Sequence, residues 1–539
     1  STEAGKNGEW QVQLQPMGLG GPYEMQVKGE NSTISLTNIL MGDVWICSGQ
    51  SNMEMPLISN WATLNNAQEE VAHADYPEIR LLNVQNSISF NEEKDILAGS
   101  WKVCNPENIA DFSATGYFFG QDLYRDIKVP IGLVSTNWGG TIIQAWTSWD
   151  VMKQQPQYKG MEAADFEKQK KKWDAEYKLY LEELDKEEGL QEKWFLPETS
   201  TVNWEKVQMP QTFEETGLGE MDGIVWYRYD FELKNLPEDR KAMLHLGSVD
   251  DMDKTYMNGT LVGETSGWNL PRNYEIGSGV LKEGQNTLVI RVFDKRFGGG
   301  LTSDENEVYL EIGNTKKYLK GEWLCKPTIT TVDFPVKETG PNAFPSQLYN
   351  AMIHPLLHMK IKGAIWYQGE SNAFEAYKYR ELFPAMIRNW RDKWGYDFPF
   401  IWAQLANYME PKPANTPSEW AELREAQHMT LSLPETAEAV LIDIGDADDI
   451  HPHNKQDVGL RLAKAAEYMA YNKDLVYSGP VYTSMEVKEN KVYLNFDRTG
   501  SGLQVHDKYG YLKGFTIAGE DQKFKWAKAW IEEGKVVVY

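Results

Sequence analysis

Cysteine is scarce: three residues, Cys47, Cys104 and Cys325, in a chain of 539. They lie far apart and lack the close pairing of a metal site, so neither a zinc module nor a dense disulfide framework organises the fold. One pair could bridge in an oxidising compartment, leaving one over, and the count does not assign the compartment. Cys47 sits inside an apolar run and reads as a small packing residue. No apolar run reaches the roughly 18 residues of a membrane-spanning helix. Positive charge is also short. Fifty-four Lys and Arg face 79 Asp and Glu, for a net charge of −25. Such a chain is a poor partner for nucleic acid or for an anionic membrane surface. An acidic ligand would have to be met by local donors, against the field of the whole protein. Repeats and low-complexity tracts are missing. The opening STEAGKNGEW has no leader pattern, which fits a processed mature chain.

What is present is an ordinary folded composition, 41% hydrophobic and 25% charged, with 20 Trp and 27 Tyr. Most of these aromatics belong in cores, but flat rings also suit the CH-rich faces of sugars. The length predicts about three domains at roughly 150 residues each. Residues 1–40 read as a β segment, with strands expected over WQVQLQPM, YEMQVKG and STISLTNIL. Residues 41–156 alternate strand and helix (DVWICSG, EIRLLNV, SATGYFFGQDLYRDI, VPIGLVSTNWGG), the pattern of a parallel sheet covered by helices. Residues 157–201 are charged and proline-poor at first, a solvated helical insertion. Residues 202–322 return to short strands with Asn-Gly and Gly turns, a β-sandwich or jelly-roll insertion. The α/β texture resumes over 323–475, including a helix expected in NAFPSQLYNAMIHPLLHMK and a strand in EAVLIDIGD. Residues 476–539 form a C-terminal β domain.

Three core strands end in glycine plus hydrogen-bonding side chains: SGQSNM (48–53), NWGG (137–140) and WYQGESN (366–372). The carboxyl ends of strands in an open parallel sheet form its ligand crevice. Ser51, Gly140 and Asn372 could therefore converge there, joined by ADDIHPHNKQD (447–457) after EAVLIDIGD. A Ser hydroxyl becomes a nucleophile when an imidazole takes its proton, and a carboxylate orients that imidazole. Ser51, His451 and Asp448 fit these roles, although Asp446 and Asp449 crowd Asp448. The Ser51 and Gly140 N–H groups and the Asn372 amide would meet the oxyanion. Trp138 and Trp366 flank these blocks as packing residues or pocket edges. His354 and His358 have the i, i+4 spacing of a metal pair, but no third ligand is near. Asp250, Asp251 and Asp253 resemble a piece of a calcium loop without its Gly and terminal Glu, and read as turn caps.

The blocks GQSNM, NWGGT, WYQGESNA and DIHPHNK resemble those of the SGNH-hydrolase superfamily, and more narrowly the sialate O-acetylesterase family, a neighbour of the acetylxylan esterases. The resemblance implies an SGNH-like α/β parallel sheet with helices on both faces, and a Ser51–His451–Asp448 triad. It also implies an oxyanion hole from Ser51, Gly140 and Asn372. The third block departs from the superfamily's Gly-x-Asn-Asp, so Gln368 or Glu370 could share the donor role or position His451. Gln50, Asn52, Trp138, Gln368 and Glu370 are expected to touch substrate or support the catalytic groups. The stretch GIVWYRYDFEL to MNG resembles the sugar-binding jelly roll of many glycoside hydrolases. The implied protein is a secreted or periplasmic esterase that removes O-acetyl groups from sialic acid and needs no cofactor or metal. Its partner is an O-acetylated carbohydrate. Deacetylation of xylan or another plant glycan is the alternative, a non-catalytic carbohydrate-binding protein a weaker one, and a phospholipase or thioesterase weaker still.

Overall fold

The computed structural model describes all residues except 1, 7, 13, 16, 31, 60, 63, 220, 237–241, 269, 296–297, 331–339 and 414–415. The chain divides into two compact units, Ser1–Glu167 with Glu338–Tyr539, and Lys168–Lys337.

The first unit is built on a seven-stranded sheet. Its strands are β1 (Asp43–Gly49), β2 (Tyr76–Asn83), β3 (Lys102–Cys104), β4 (Ile131–Asn137), β5 (Gly363–Tyr367), β6 (Phe400–Ala403) and β7 (Thr436–Ala439), in the order 7-6-5-1-4-2-3. All neighbours are parallel except the edge pair β2–β3. The apolar strands read as they do because both faces are covered. Trp45, Cys47, Leu133, Ile365 and Ile401 enter one core, while Ile46, Val134, Trp366 and Trp402 enter the other. That is the two-residue period of a strand with two dry sides. Helices α1 (Ser51–Glu54), α2 (Ala114–Ile127), α3 (Ala376–Trp394), α4 (Glu419–Met429) and α5 (Lys455–Tyr471) complete the layers. Ser113 caps α2 by accepting from Gly116 N–H, and Asn454 caps α5 by accepting from Asp457 N–H. Strand β7 stops at Ala439 rather than running on to Asp446, which leaves a long loop from β7 to α5.

Two further sequence expectations change. The strand expected over 10–17 is not formed among its described residues, which are exposed; Gln13 and Pro16 lie outside the described set. The N-terminal β segment is instead the hairpin Gly20–Lys28 with Thr33–Met41. The helix expected over 342–360 is irregular, a π-helical turn at Tyr349–Ile353 followed by a 3-10 turn at His354–Leu356. Pro355 is the cause. It has no N–H to give, and its ring would meet the carbonyl four residues back. At the C-terminus a five-stranded antiparallel sheet surrounds a small core of Ala529, Val536 and Val538.

The second unit holds two antiparallel sheets, one of six and one of five strands. Val225, Tyr227 and Ile290 of one pack with Leu244, Leu246 and Leu310 of the other in a single core. Asp253 is one half of a salt bridge with Arg272, Nε to Oδ1 2.9 Å, both side chains fully buried. Among the described residues no helix is long and apolar enough to cross a membrane.

Candidate active site

Register brings the blocks together. Gly49 pairs with Asn137 on one side and Tyr367 on the other, so β1, β4 and β5 end level. Two residues beyond them stand Ser51, Gly139 and Gly369. Trp138 N–H donates to Gly49 O (3.2 Å), and Gln50 N–H donates to Tyr367 O (3.0 Å). The turn at Gly49 depends on glycine, since φ is +146° and a Cβ would lie 2.1 Å from Tyr367 O. Ser51 then opens α1 at the rim of the sheet.

His451 arrives on the β7–α5 loop. Its Nε2 lies 2.9 Å from Ser51 Oγ, a hydrogen bond between residues 400 apart in sequence. Burial holds the imidazole below its ordinary pKa, the Lys455 cation adds to the depression, and Asp449 opposes it. The carboxylate beside Nδ1 belongs to Asp449, at 3.8 Å, and not to the expected Asp448. Asp448 is exposed, and its N–H donates to Asp446 Oδ1. The reason is local. Asp449 Oδ1 accepts the His451 N–H at 2.8 Å in an Asx turn, which folds that carboxylate back toward the ring. At 3.8 Å it acts on Nδ1 as a charge rather than a hydrogen-bond acceptor. Asp449 is also 3.1 Å from His453 Nε2.

The expected oxyanion donors differ in their commitments. Glu54 takes the Gly139 N–H at 2.5 Å and the Asn86 amide at 3.1 Å, which pins the loop after β4. Burial raises the Glu54 carboxyl above its usual range. The Gly140 N–H meets no acceptor among the described residues, and neither does that of Ser51. Asn372 is only 1% exposed. Its Oδ1 accepts from Ile143 N–H and Gln368 Nε2, and its Nδ2 donates to Gln144 Oε1 at 3.0 Å. Its second amide hydrogen meets no acceptor among the described residues. Gln368 is spent inside the fold, donating to Thr141 O and accepting from Tyr379 Oη. Gln50 Oε1 accepts from Gly369 and Ser371 N–H and so shapes the loop after β5. Trp138 is half-buried against the second core, and Trp366 lies wholly within it.

Sequence reading missed four groups. Trp61 stands edge-on to His451, centroids 5.0 Å apart, and remains 47% exposed at the mouth. Glu54 lies just past the SGQSNM block and has no motif of its own, and Asp449 is singled out in the sequence only as a neighbour crowding Asp448. Lys455 was quoted within a block and given no role, yet it is fully buried beneath the site. The other candidate clusters lie elsewhere. His354 Nδ1 is 2.8 Å from Glu93 O and its Nε2 3.3 Å from Glu92. Asp250, Asp251 and Asp294 gather within 4.8 Å in the second unit, where Lys295 pairs with Asp251. All three cysteines are free and buried.

Chemically, a serine hydroxyl hydrogen-bonded to a largely neutral imidazole, with unpaired N–H groups alongside, suits acyl transfer. Residues 41–176 and 337–468 match the family model described as carbohydrate esterase, sialic acid-specific acetylesterase. The chain is 26% identical over 90% of its length to the sialate O-acetylesterase of Mus musculus, covering 68% of that protein. It is 24% identical over 96% of its length to the Homo sapiens sialate O-acetylesterase, covering 71%. Among solved structures, a carbohydrate acetylesterase from Xanthomonas citri superposes with a TM-score of 0.61 at 30% identity, over 99% of this chain and 80% of that one.

Proposed function

Because this chain belongs to the carbohydrate esterase family of sialic acid-specific acetylesterases, we propose that it frees O-acetyl groups from sialic acid through an acetyl-Ser51 intermediate. It is a carboxylic-ester hydrolase. The observation that carries the mechanism is the 2.9 Å contact between His451 Nε2 and Ser51 Oγ.

In the proposed cycle His451 Nε2 takes the Ser51 proton as Oγ attacks the acetyl carbonyl carbon. The carbonyl electron pair moves onto oxygen, where the N–H groups of Ser51 and Gly140 and the Asn372 amide receive it. Each such donor is typically worth about 3 kcal/mol of barrier. The tetrahedral species collapses, the sugar oxygen leaves, and His451 returns the proton to it. Water then gives a proton to His451 and attacks the acetyl carbon, and acetate departs as Ser51 is reprotonated. Asp449, in the place first expected for Asp448, stabilises the imidazolium by its charge. We assign the α/β core to the SGNH arrangement, a reading supported by the common rim that holds Ser51, Gly140, Asn372 and His451. We assign the two-sheet insertion to the jelly-roll class, a reading supported by its single core between two antiparallel sheets.

The test is acetate release from 9-O-acetylated sialic acid and from acetylated xylan, with wild type and Ser51→Ala. Release from the sialic acid ester, lost in the variant, is expected, together with a mass gain of one acetyl group on wild type after brief exposure to p-nitrophenyl acetate. Activity surviving Ser51→Ala would remove the mechanism. Release from xylan alone would move the substrate to plant glycans.

A further inference from the structure

The polar cluster behind the catalytic pair has no counterpart in the cycle above. Lys455, the first residue of α5, is 0% exposed. Its Nζ donates to Asn52 Oδ1 at 2.6 Å and to Pro452 O at 2.8 Å. Asn52, 1% exposed, uses its amide hydrogens on Glu370 Oε1 at 2.6 Å and Ile450 O at 2.9 Å. These contacts follow a pattern. Asn52 is the residue after Ser51. Ile450 and Pro452 are the residues on either side of His451. Two buried side chains therefore tie the nucleophile's neighbour to both carbonyls flanking the base. Burial of an ammonium is costly unless it is paired and hydrogen-bonded, so a lysine in this place needs a reason beyond packing.

We propose that Lys455, acting through Asn52, is a positioning residue that fixes the His451 loop against Ser51 and places a cation behind the imidazole. This rests on the Ser51–His451 mechanism and adds to it the group that sets the geometry and proton affinity of the base. Without the tether, the β7–α5 loop would be held just ahead of His451 by Gly445 N–H on Asn407 Oδ1, by Met409 N–H on Ala447 O and by the Asx turn at Asp449. A misplacement of about 1 Å at a reacting pair can cost on the order of a hundredfold in rate. The charge acts in the same direction as burial. The charged groups around His451 are Lys455 from α5, Asp449 and, through it, His453 from its own loop, Glu370 beyond Asn52, and Glu54 beyond Gly139. Burial lowers Lys455 to about 7. It is therefore protonated at the acid pH where His451 titrates, and there it disfavours the imidazolium and keeps the base ready. The Glu370 carboxyl is raised by burial, which weakens the anion that would offset this cation.

The experiment is the pH profile of kcat/KM for p-nitrophenyl acetate with the full chain, comparing wild type, Lys455→Met, Asn52→Ala and the double variant. Lys455→Met is expected to lower the plateau 10- to 100-fold and to move the acidic midpoint up by about one unit. Asn52→Ala, which keeps the cation, is expected to lower the plateau with a smaller shift. The double variant should lose little more than the worse single one, because both cut the same tether. Lys455→Gln, which keeps a donor in the buried site, is run in parallel and should show the same upward midpoint if the methionine variant does not fold. An unmoved midpoint, or losses that multiply in the double variant, would overturn the proposal. Ser51→Ala separates the two readings. If it is inactive while Lys455→Met behaves as wild type, only the positioning role falls; if it is active, the mechanism itself falls.

Discussion

Gly49 carries the tightest constraint at the residue scale, since its φ of +146° and the 2.1 Å approach of Tyr367 O leave no room for a methyl group. Gly49→Ala is expected to cost about 3 kcal/mol or more, read from urea unfolding, with esterase activity lost alongside. Trp61 gives a second prediction. Its exposed ring lines the mouth beside His451, so Trp61→Ala should raise KM for the sugar ester several-fold more than KM for p-nitrophenyl acetate. The lowered pKa of His451 gives a third. In the proposed cycle the neutral imidazole is the working form, so activity should persist below the ordinary 6.5 and fall only at more acid pH, as a kcat/KM profile would record. Ser51 and His451 were legible in the sequence because strand ends and a nucleophile–base pair leave short, dense blocks. Asp449 was not, because three acids crowd that loop and only the Asx turn decides which one faces the ring. Trp61 gave no signal, as a lone aromatic in a loop has neither period nor partner in the sequence.

Among the elements, α2 and α5 show how closely helices must approach to bring His451 home. A Cβ on Gly459 would stand 2.4 Å from Phe118 Cβ and 2.6 Å from Phe119 N. Gly459→Leu would force the helices apart and should cost about 3 kcal/mol, seen as a lower urea midpoint at unchanged slope. Activity should fall more steeply than stability, because Lys455 opens the same helix. The buried strands of the core were readable as unbroken apolar runs with dry neighbours on both faces. The strand over 10–17 was misread because alternation alone does not supply a partner. The π turn at Tyr349–Ile353 was hidden because apolar spacing is nearly the same in an α-helix and in one wound around a proline.

Across the whole molecule, each compact unit has its own core, so calorimetry of the full chain should resolve two transitions. Asp253→Ala would strand the buried Arg272 cation and should lower one of them alone, by about 3–5 kcal/mol. The net charge of −25 acts on the substrate from a distance. Raising ionic strength should lift kcat/KM for the anionic sialate ester about twofold and leave the neutral p-nitrophenyl ester unchanged. Finally, Ser51 and His451 are 400 residues apart in sequence, and the residues of an entire two-sheet unit come between them along the chain. A ribosome-bound chain has made Ser51 long before it has made His451. On the proposed mechanism the hydroxyl stays chemically quiet until residues 436–471 have emerged, closed the sheet and delivered His451 to its rim. Onset of turnover during translation would therefore be a clock for assembly of that rim.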